Sequence, residues 1–600
     1  MKNQAGRSAG NNTGSTQGRD SRTGPVSRAR LCARIAAAMA VVLAGTVLAQ
    51  VRPPDAGRVL EDSRTGGPPQ APRAAPRLDL EQPVRPALTA PDSYRVQVKG
   101  FRITRNTVFT QEQLTPLLAT YVDRELSLAD LEEAAAAISR FYRERGYFVA
   151  RAYVPAQEIR DGIVEITVLE GRLGSVKIFV PPGSRDFSSP RVVRGILAAR
   201  QPSGSVIQSA GLERALLLLS DTPGVSARAT LLPGTEPGTS DLSIDVADTP
   251  IVSGSADADT FGSHFTGAAR VGASGQLNSP SGFGDVATAR VQLSTGTENA
   301  RLGYQIPLTF DGLRLGATYS IVRYKLCCEF AALESSGDAG DFTTTVQYPF
   351  VRSRIRNVYG TASASGKHFV NRTFAGVTSD KNTRALVLGV SADDRDERFG
   401  GGLNAFSFAV TSGKLDLSGA ESDQAIDAIT AQADGGYSKV NYTLSRLQRL
   451  GPATSLYLSL GGQFASKNLD SSEQFGLGGP TGVRAYPTGE AIGDEGMLAT
   501  VEGRWQFTEA WQSSVFLDRG QIRLHKSPWA GWEGANTTIT NAYSIAGAGL
   551  GLTYSPIGNF TVRLFAAMKL GSNPGSSASG NDADNRNSRM RAWIQAIKYF

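Results

Sequence analysis

From Pro250 to the C-terminus, about 350 residues read as alternating apolar and polar segments of roughly ten, separated by Gly, Asn, Asp and Ser. Leu313, Leu315, Ala317, Tyr319 and Ile321 share one face, while Arg314, Gly316, Thr318 and Ser320 share the other. Leu456, Leu458, Leu460 and Phe464 alternate in the same way with Ser455, Ser459 and Gln463, and Phe560, Val562, Leu564, Ala566 and Met568 with Thr561, Arg563 and Lys569. Beyond the first fifty residues, no stretch reaches the roughly 18 continuous apolar residues of a spanning helix. A chain of this texture crosses a membrane only as a closed β-barrel, because lipid offers no partner to an open strand edge. A soluble sandwich alternates too. Favouring the membrane are the number of segments, short turns such as Asp311-Gly312, an export signal, and the strand-like Arg591 to Tyr599 ending on Phe600. At roughly 22 residues per strand and connection, the region holds about sixteen antiparallel strands.

The export signal is read at 1–49. Arg28, Arg30 and Arg34 precede an apolar run from Ile35 to Leu48, and Val47-Leu48-Ala49 fits a small-residue cleavage site. The whole chain carries a formal charge of +7, and seven Lys or Arg against one Asp before Gln50 account for +6 of it, leaving 7 − 6 = +1. That near-neutral balance removes the main support for a nucleic-acid partner. With Cys32 in the signal, the rest of the chain has only Cys327 and Cys328, either a vicinal disulfide or two unpaired thiols, and no functional role is expected of them. Residues 50–92 contain nine prolines and read as a linker. Within it, 55–64 (DAGRVLEDSR) is either more linker or a short helix that docks elsewhere.

Residues 93–174 form a compact α+β unit. Arg95 to Ile103 reads as a strand, Thr110 and Gln113 form a capping box for a helix to about Tyr121, and a second helix starts at Ser127. That helix places Leu128, Leu131, Ala135, Ile138 and Tyr142 on one stripe and stops at Arg145-Gly146. Tyr147 to Val154 and Gly162 to Leu169 read as strands. Residues 175–250 repeat the order strand, helix, helix, strand, strand, which suggests tandem adaptors without catalytic residues.

Within the barrel region 251–600, Phe475 to Gly496 breaks the alternation. It is glycine-rich, contains two prolines, and carries Val483-Arg484-Ala485-Tyr486 at its middle. Further on, Val515 to Gly520 puts Phe516 and Asp518 on one strand face and Leu517 and Arg519 on the other. An Arg on a loop and an Asp on a wall suggest a lock.

Catalytic constellations are not evident. His264, His368 and His525 fall in separate segments with no metal-site spacing, G-x-S-x-G is missing, and Gly547 to Gly551 sits in an alternating strand where small residues ease packing. The chain is expected to be no enzyme and to need no cofactor or metal.

The tandem modules, with 126–174 especially close, together with Tyr348-Pro-Phe-Val-Arg-Ser-Arg354, Val483-Arg484-Ala485-Tyr486 and Phe516-x-Asp518-x-Gly520, make the chain resemble the two-partner secretion transporters, the haemolysin secretion and activation family. That family belongs to the outer-membrane insertases and translocases carrying polypeptide-transport-associated (POTRA) modules. The resemblance implies a sixteen-stranded transmembrane β-barrel in the outer membrane and two periplasmic POTRA modules, 93–174 and 175–250. It implies a loop (466–496) folded into the lumen with Arg484 on Asp518, and a plug helix where 55–64 stands. It also implies partners: a secreted haemolysin- or adhesin-like exoprotein, outer-membrane lipid and, during biogenesis, the barrel-assembly machinery. The alternative within the superfamily is an insertase of outer-membrane proteins. One departure is Ala485 where the superfamily motif has Gly. If that position needed a positive φ, alanine would strain it by about 1 kcal/mol or more.

Overall fold

The computed structural model describes residues 53–64, 78–80, 95–180, 190–534, 539–556 and 560–600. The signal segment expected at 1–49, with Cys32, lies outside these residues, as does most of the 50–92 linker.

Sixteen antiparallel strands, from Val252–Asp259 to Met590–Tyr599, close into one barrel. Each pairs with its sequence neighbours, and the last pairs back on the first from Ser255↔Tyr599 to Asp259↔Gln595. Gly254 and Phe600 exchange both backbone hydrogen bonds at 2.8 and 3.0 Å, so the terminal aromatic completes the seam. Alternation sorts the side chains as the sequence pattern requires. Leu302, Tyr319, Leu388, Leu458, Val515, Leu550 and Leu564 face outward, and Ser320, Gln463, Asp518 and Lys569 are buried inside. Interior charges are paired, with Asp259 on Arg270 at 2.8 Å and Asp257 on Arg290 at 2.8 Å. At one end the connections are short, and Phe310, Phe350, Phe399, Trp505 and Phe507 are exposed there, as expected of an interfacial aromatic belt. At the other end the loops 417–434, 466–494, 524–541 and 570–589 are long.

The first module packs helix α2 (Leu128–Glu144) on the sheet 100–104, 163–169, 151–153. Ser127 caps α2 through Asp130 rather than Glu or Gln, and Gly146 takes the left-handed conformation beyond its end, at φ +90°. Ile103, Leu118, Ala135, Ile138, Tyr142 and Ile166 make the core. Two expectations need adjusting. The first helix is α-helical only over Gln111–Leu114 and then tightens to a 3-10 helix, Thr115–Tyr121, because Pro116 has no N–H to donate. The strand read at 147–154 shrinks to Arg151–Tyr153, since Tyr147 to Ala150 turn beneath Tyr142.

The second module repeats this topology with helices α3 (Pro190–Arg200) and α4 (Ser209–Asp221) on strands 172–179, 239–248 and 225–233. In both, the first strand runs parallel to the last. Leu78–Leu80 adds to this sheet in parallel with 225–233.

Because Leu564 stands mid-strand on the outward face, Leu564→Arg should cost about 2–4 kcal/mol of barrel stability in lipid vesicles, whereas Leu564→Phe should be near neutral. Urea titrations read by heat-modifiable mobility check this, and equal midpoints for both variants would contradict a lipid-facing position.

Candidate functional site

The long loop between strands Thr454–Ala465 and Glu495–Gln506 does not project outward; it folds back into the barrel. Its legs meet where Phe475–Gly476 pairs with Ile492–Gly493. The tip is a tight turn: Val483 N–H donates to Leu477 O at 2.7 Å, and Tyr486 N–H to Val483 O at 3.0 Å. Such a turn requires glycine, since a Cβ on Gly482 would lie 1.9 Å from the Leu477 carbonyl oxygen. Val483, Ala485 and Tyr486 are fully buried with Leu477 against Phe516, Ile522, Tyr543, Ile545 and Ala567 of the inner wall.

Arg484 sits at the centre and is only 6% exposed, over a fully buried Asp518. Its backbone N–H donates to Asp518 Oδ2 at 3.1 Å, Nε to the same oxygen at 2.9 Å, and Nη2 to Oδ1 at 2.9 Å. Nη1 donates to Glu502 Oε2 at 2.7 Å, and Glu502 also receives Arg504 Nε at 2.8 Å. Thr500 Oγ1 donates to Asp518 at 3.0 Å, and Trp593 Nε1 to the Arg484 carbonyl at 2.8 Å. The guanidinium lies 3.3 Å over the Phe516 ring. Two cations and two carboxylates leave this buried group neutral, which offsets a desolvation cost of several kcal/mol per ion.

Of the residues singled out from sequence, Arg484 and Asp518 meet directly, Val483, Ala485, Tyr486 and Phe516 pack around them, and Gly520 receives Leu477. The feared strain at Ala485 is absent: its φ is not positive, and its methyl fits against Gly547, where a Cβ would come within 2.5 Å of it. Sequence reading missed Glu502, Arg504 and Trp593. The first two were findable, because they stand on the inward parity of an alternating strand that otherwise reads as small and apolar.

A second ionic set lies further along the lumen. Glu473 of the loop is held by Lys367 at 2.6 Å and Lys439 at 2.9 Å, and Asp470 by Lys381 at 2.6 Å. Lys381 also reaches Asp55 at 3.0 Å, and Asp55 accepts from Arg58 N–H at 2.9 Å to cap helix α1 (Ala56–Arg64). Helix α1 therefore lies inside the barrel. Ala56, Val59 and Leu60 pack on Val322, Tyr324, Ala339 and Phe369, Arg64 pairs with Asp341 at 2.7 Å, and Gly57 fits against Ser471 and Ser472. A cavity of about 430 Å³ remains between α1 and the loop.

The 348–354 segment forms the seat of the second module. Arg352 grips Asp221 with two bonds of 2.7 and 2.8 Å, Arg214 donates to the Pro349 carbonyl, and Arg200 donates to Tyr348 Oη at 3.1 Å. The modules thus sit at the short-turn end of the barrel.

Residues 96–171 match the POTRA domain, ShlB-type, and residues 238–554 match the haemolysin secretion/activation protein ShlB/FhaC/HecB model, more than half of the chain. The chain belongs to the haemolysin secretion/activation family. It is similar to the heme/hemopexin transporter protein HuxB of Haemophilus influenzae (strain 86-028NP), 28% identical over 94% of this chain and 98% of that protein. The outer membrane transporter CdiB of Dickeya dadantii (strain 3937) is 25% identical over 72% of this chain and 76% of its own. The solved structure of CdiB from Escherichia coli superposes with a TM-score of 0.67 at 18% identity, covering 86% of this chain and 93% of that one, which speaks to fold. Like other members of the family, the chain is a two-partner secretion transporter, an outer-membrane protein with its POTRA region in the periplasm and a secreted exoprotein as partner. Members of this family are transporters rather than enzymes.

Removing either end of the lock strands a buried charge. Arg484→Ala and Asp518→Ala should each cost about 3 kcal/mol of barrel stability, and the double variant little more. Arg484→Lys should fall between, as it loses the fork. Glu502→Gln should cost less than Asp518→Ala, because Asp518 takes three of the four bonds. Unfolding midpoints in vesicles measure this, and additive single and double losses would show that Arg484 and Asp518 act separately.

Proposed function

We propose that the transporter captures its exoprotein unfolded in the periplasm and passes it outward through the barrel without ATP, with Arg484 and Asp518 fixing the loop while α1 plugs the remaining lumen and leaves it during transport. The observation that carries this reading is the unequal anchorage inside the barrel. The loop is bound by an apolar tip and an ionic quartet whose Arg484, Asp518 and Glu502 are buried. Helix α1 is nine residues long and is tethered by the Asp55–Lys381 and Arg64–Asp341 pairs, by hydrogen bonds from Ser471 to Asp55 and from the Ala56 N–H to Asn371, and by the apolar contacts of Ala56, Val59 and Leu60. A nine-residue helix has little stability of its own away from that wall.

Direction comes from the substrate. A chain that enters extended and folds outside, as a haemolysin- or adhesin-like β-solenoid would, gains its burial and ladder bonds only on the far side. Capture suits strand addition, where backbone bonds give affinity with little sequence demand. The second module's edge strand 225–233 already takes one short strand, Leu78–Leu80, in this way. Outer-membrane lipid would cover the outward face, and the barrel-assembly machinery would insert it.

The test is secretion of the protein encoded by the neighbouring reading frame, co-expressed with this chain. Deleting 93–174 should abolish secretion while the heat-modifiable barrel stays in the membrane. Undiminished secretion by that deletion would overturn capture by the modules.

A further inference from the structure

Three extracellular loops converge above helix α1: 260–269, 326–335 and 570–589. They bring together residues that the sequence keeps far apart. His264 Nε2 stands 3.5 Å from Glu329 Oε2, and the ligand atoms of His264, Cys328 and Glu329 all lie within 4.8 Å of one another. The sulfur of Cys328 is bonded to that of Cys327. Among the described residues, this is the one group of three or more His, Cys, Asp or Glu whose donor atoms gather closely enough to surround an ion.

We propose that reducing the Cys327–Cys328 bond converts this cluster into a binding site for a zinc-class divalent cation, held by His264, Cys328 and Glu329 with the Cys327 thiolate in the fourth position. Thiolate, imidazole and carboxylate together suit Zn²⁺, whereas an all-oxygen set would suit Mg²⁺ or Ca²⁺. Donors on a tetrahedral zinc stand about 3.5 Å apart, so the cluster needs only a modest closure. Cys328 and Glu329 are exposed, which gives an ion a route in.

Neighbouring groups already orient the set. Asn585 Nδ2 donates to Glu329 Oε1 at 3.0 Å, leaving Oε2 turned to His264. Arg586 Nη2 lies 3.3 Å from His264 Nδ1, a contact that uses the Nδ1 lone pair and so places the ring proton on Nε2. When Nε2 takes the metal, that proton moves to Nδ1 and Arg586 turns into solvent. Arg586 is therefore a competitor of the metal and not a support for it.

The chemical step is simple to balance. A phosphine attacks one sulfur, the S–S bond breaks, and water supplies the oxygen of the phosphine oxide and two hydrogens that end on the two thiols. Metal binding then releases the thiol protons. The site also bears on the lumen, because Phe265 follows His264, and Leu326 and Phe330 flank the cysteines. All three pack on α1 in the cluster that holds Ala56, Val59 and Leu60. A metal joining residue 264 to residues 328 and 329 would staple the two loops that cover α1.

The test uses the full chain in detergent micelles, reduced with a phosphine, freed of metal by a chelator, and titrated with Co²⁺ as a spectroscopic stand-in for Zn²⁺. About one equivalent should bind with thiolate-to-cobalt charge-transfer absorption, and the oxidised protein should show none. Cys327→Ser/Cys328→Ser should abolish the signal. His264→Ala and Glu329→Gln should each weaken binding at least about tenfold, and Arg586→Ala should leave it equal or tighter. Heat-modifiable mobility confirms that each variant is folded, and His264→Gln carries the same test if His264→Ala is not. Absence of cobalt absorption in the reduced protein, or parental affinity in the folded His264 variant, would overturn the proposal.

Discussion

A guanidinium sealed inside a protein must be matched charge for charge, and the geometry around Arg484 follows from that requirement. Asp518 supplies two oxygens and receives three bonds from Arg484, Glu502 takes the remaining Nη1, and Arg504 balances the second carboxylate. These wall groups come from two adjacent strands, registered so that Thr500 lies opposite Asp518. The tip can reach them only because Gly482 allows the turn and Gly547 makes room for the Ala485 methyl. Shape and charge thus specify one seat for the loop. Coulombic attraction alone would leave it loosely placed in a wet lumen.

Helix α1, by contrast, shares its ionic partners with other groups of the lumen. Lys381 is shared between Asp55, which caps the helix, and Asp470 of the loop, so it would keep a partner if the helix left. Arg64 pairs with Asp341, which also accepts from Thr343. On the proposed departure of α1 the wall would stay hydrogen-bonded and the helix would be rehydrated, a much smaller penalty than stranding Arg484 would carry. The second module, in turn, is held at the barrel's short-turn end by Arg352 on its Asp221 and by its own Arg214 on the Pro349 carbonyl.

Much of the architecture was legible in the chain, because a barrel wall imposes period-two alternation and Leu456, Leu458 and Leu460 show it without ambiguity. The Arg484–Asp518 pair was legible from motifs. Glu502 and Arg504 were legible only as charges on an inward strand parity, and Trp593 was not, because nothing local marks which inward residues a distant loop will touch. The same limit hid the His264, Cys328 and Glu329 cluster, whose members lie on two separate loops that meet only in the folded barrel. The shortening of the strand at 147–154 had another cause, the packing of Tyr147 against Phe109 and Tyr142, which no alternation pattern encodes. Strand Leu78–Leu80 was lost in a proline-rich background and exists through the edge it joins.

The central claim is that the loop is a fixed part of the barrel and α1 a removable one. Hydrogen–deuterium exchange of the protein in bilayers, read on peptides covering 475–493 and 53–64, separates the two directly. The account predicts that the loop, including the Arg484 N–H bonded to Asp518, is protected as long as strands 495–506 and 511–523, and that α1 exchanges far earlier. Exchange of the loop as fast as the turn at 507–510, or opening of loop and helix together, would contradict it.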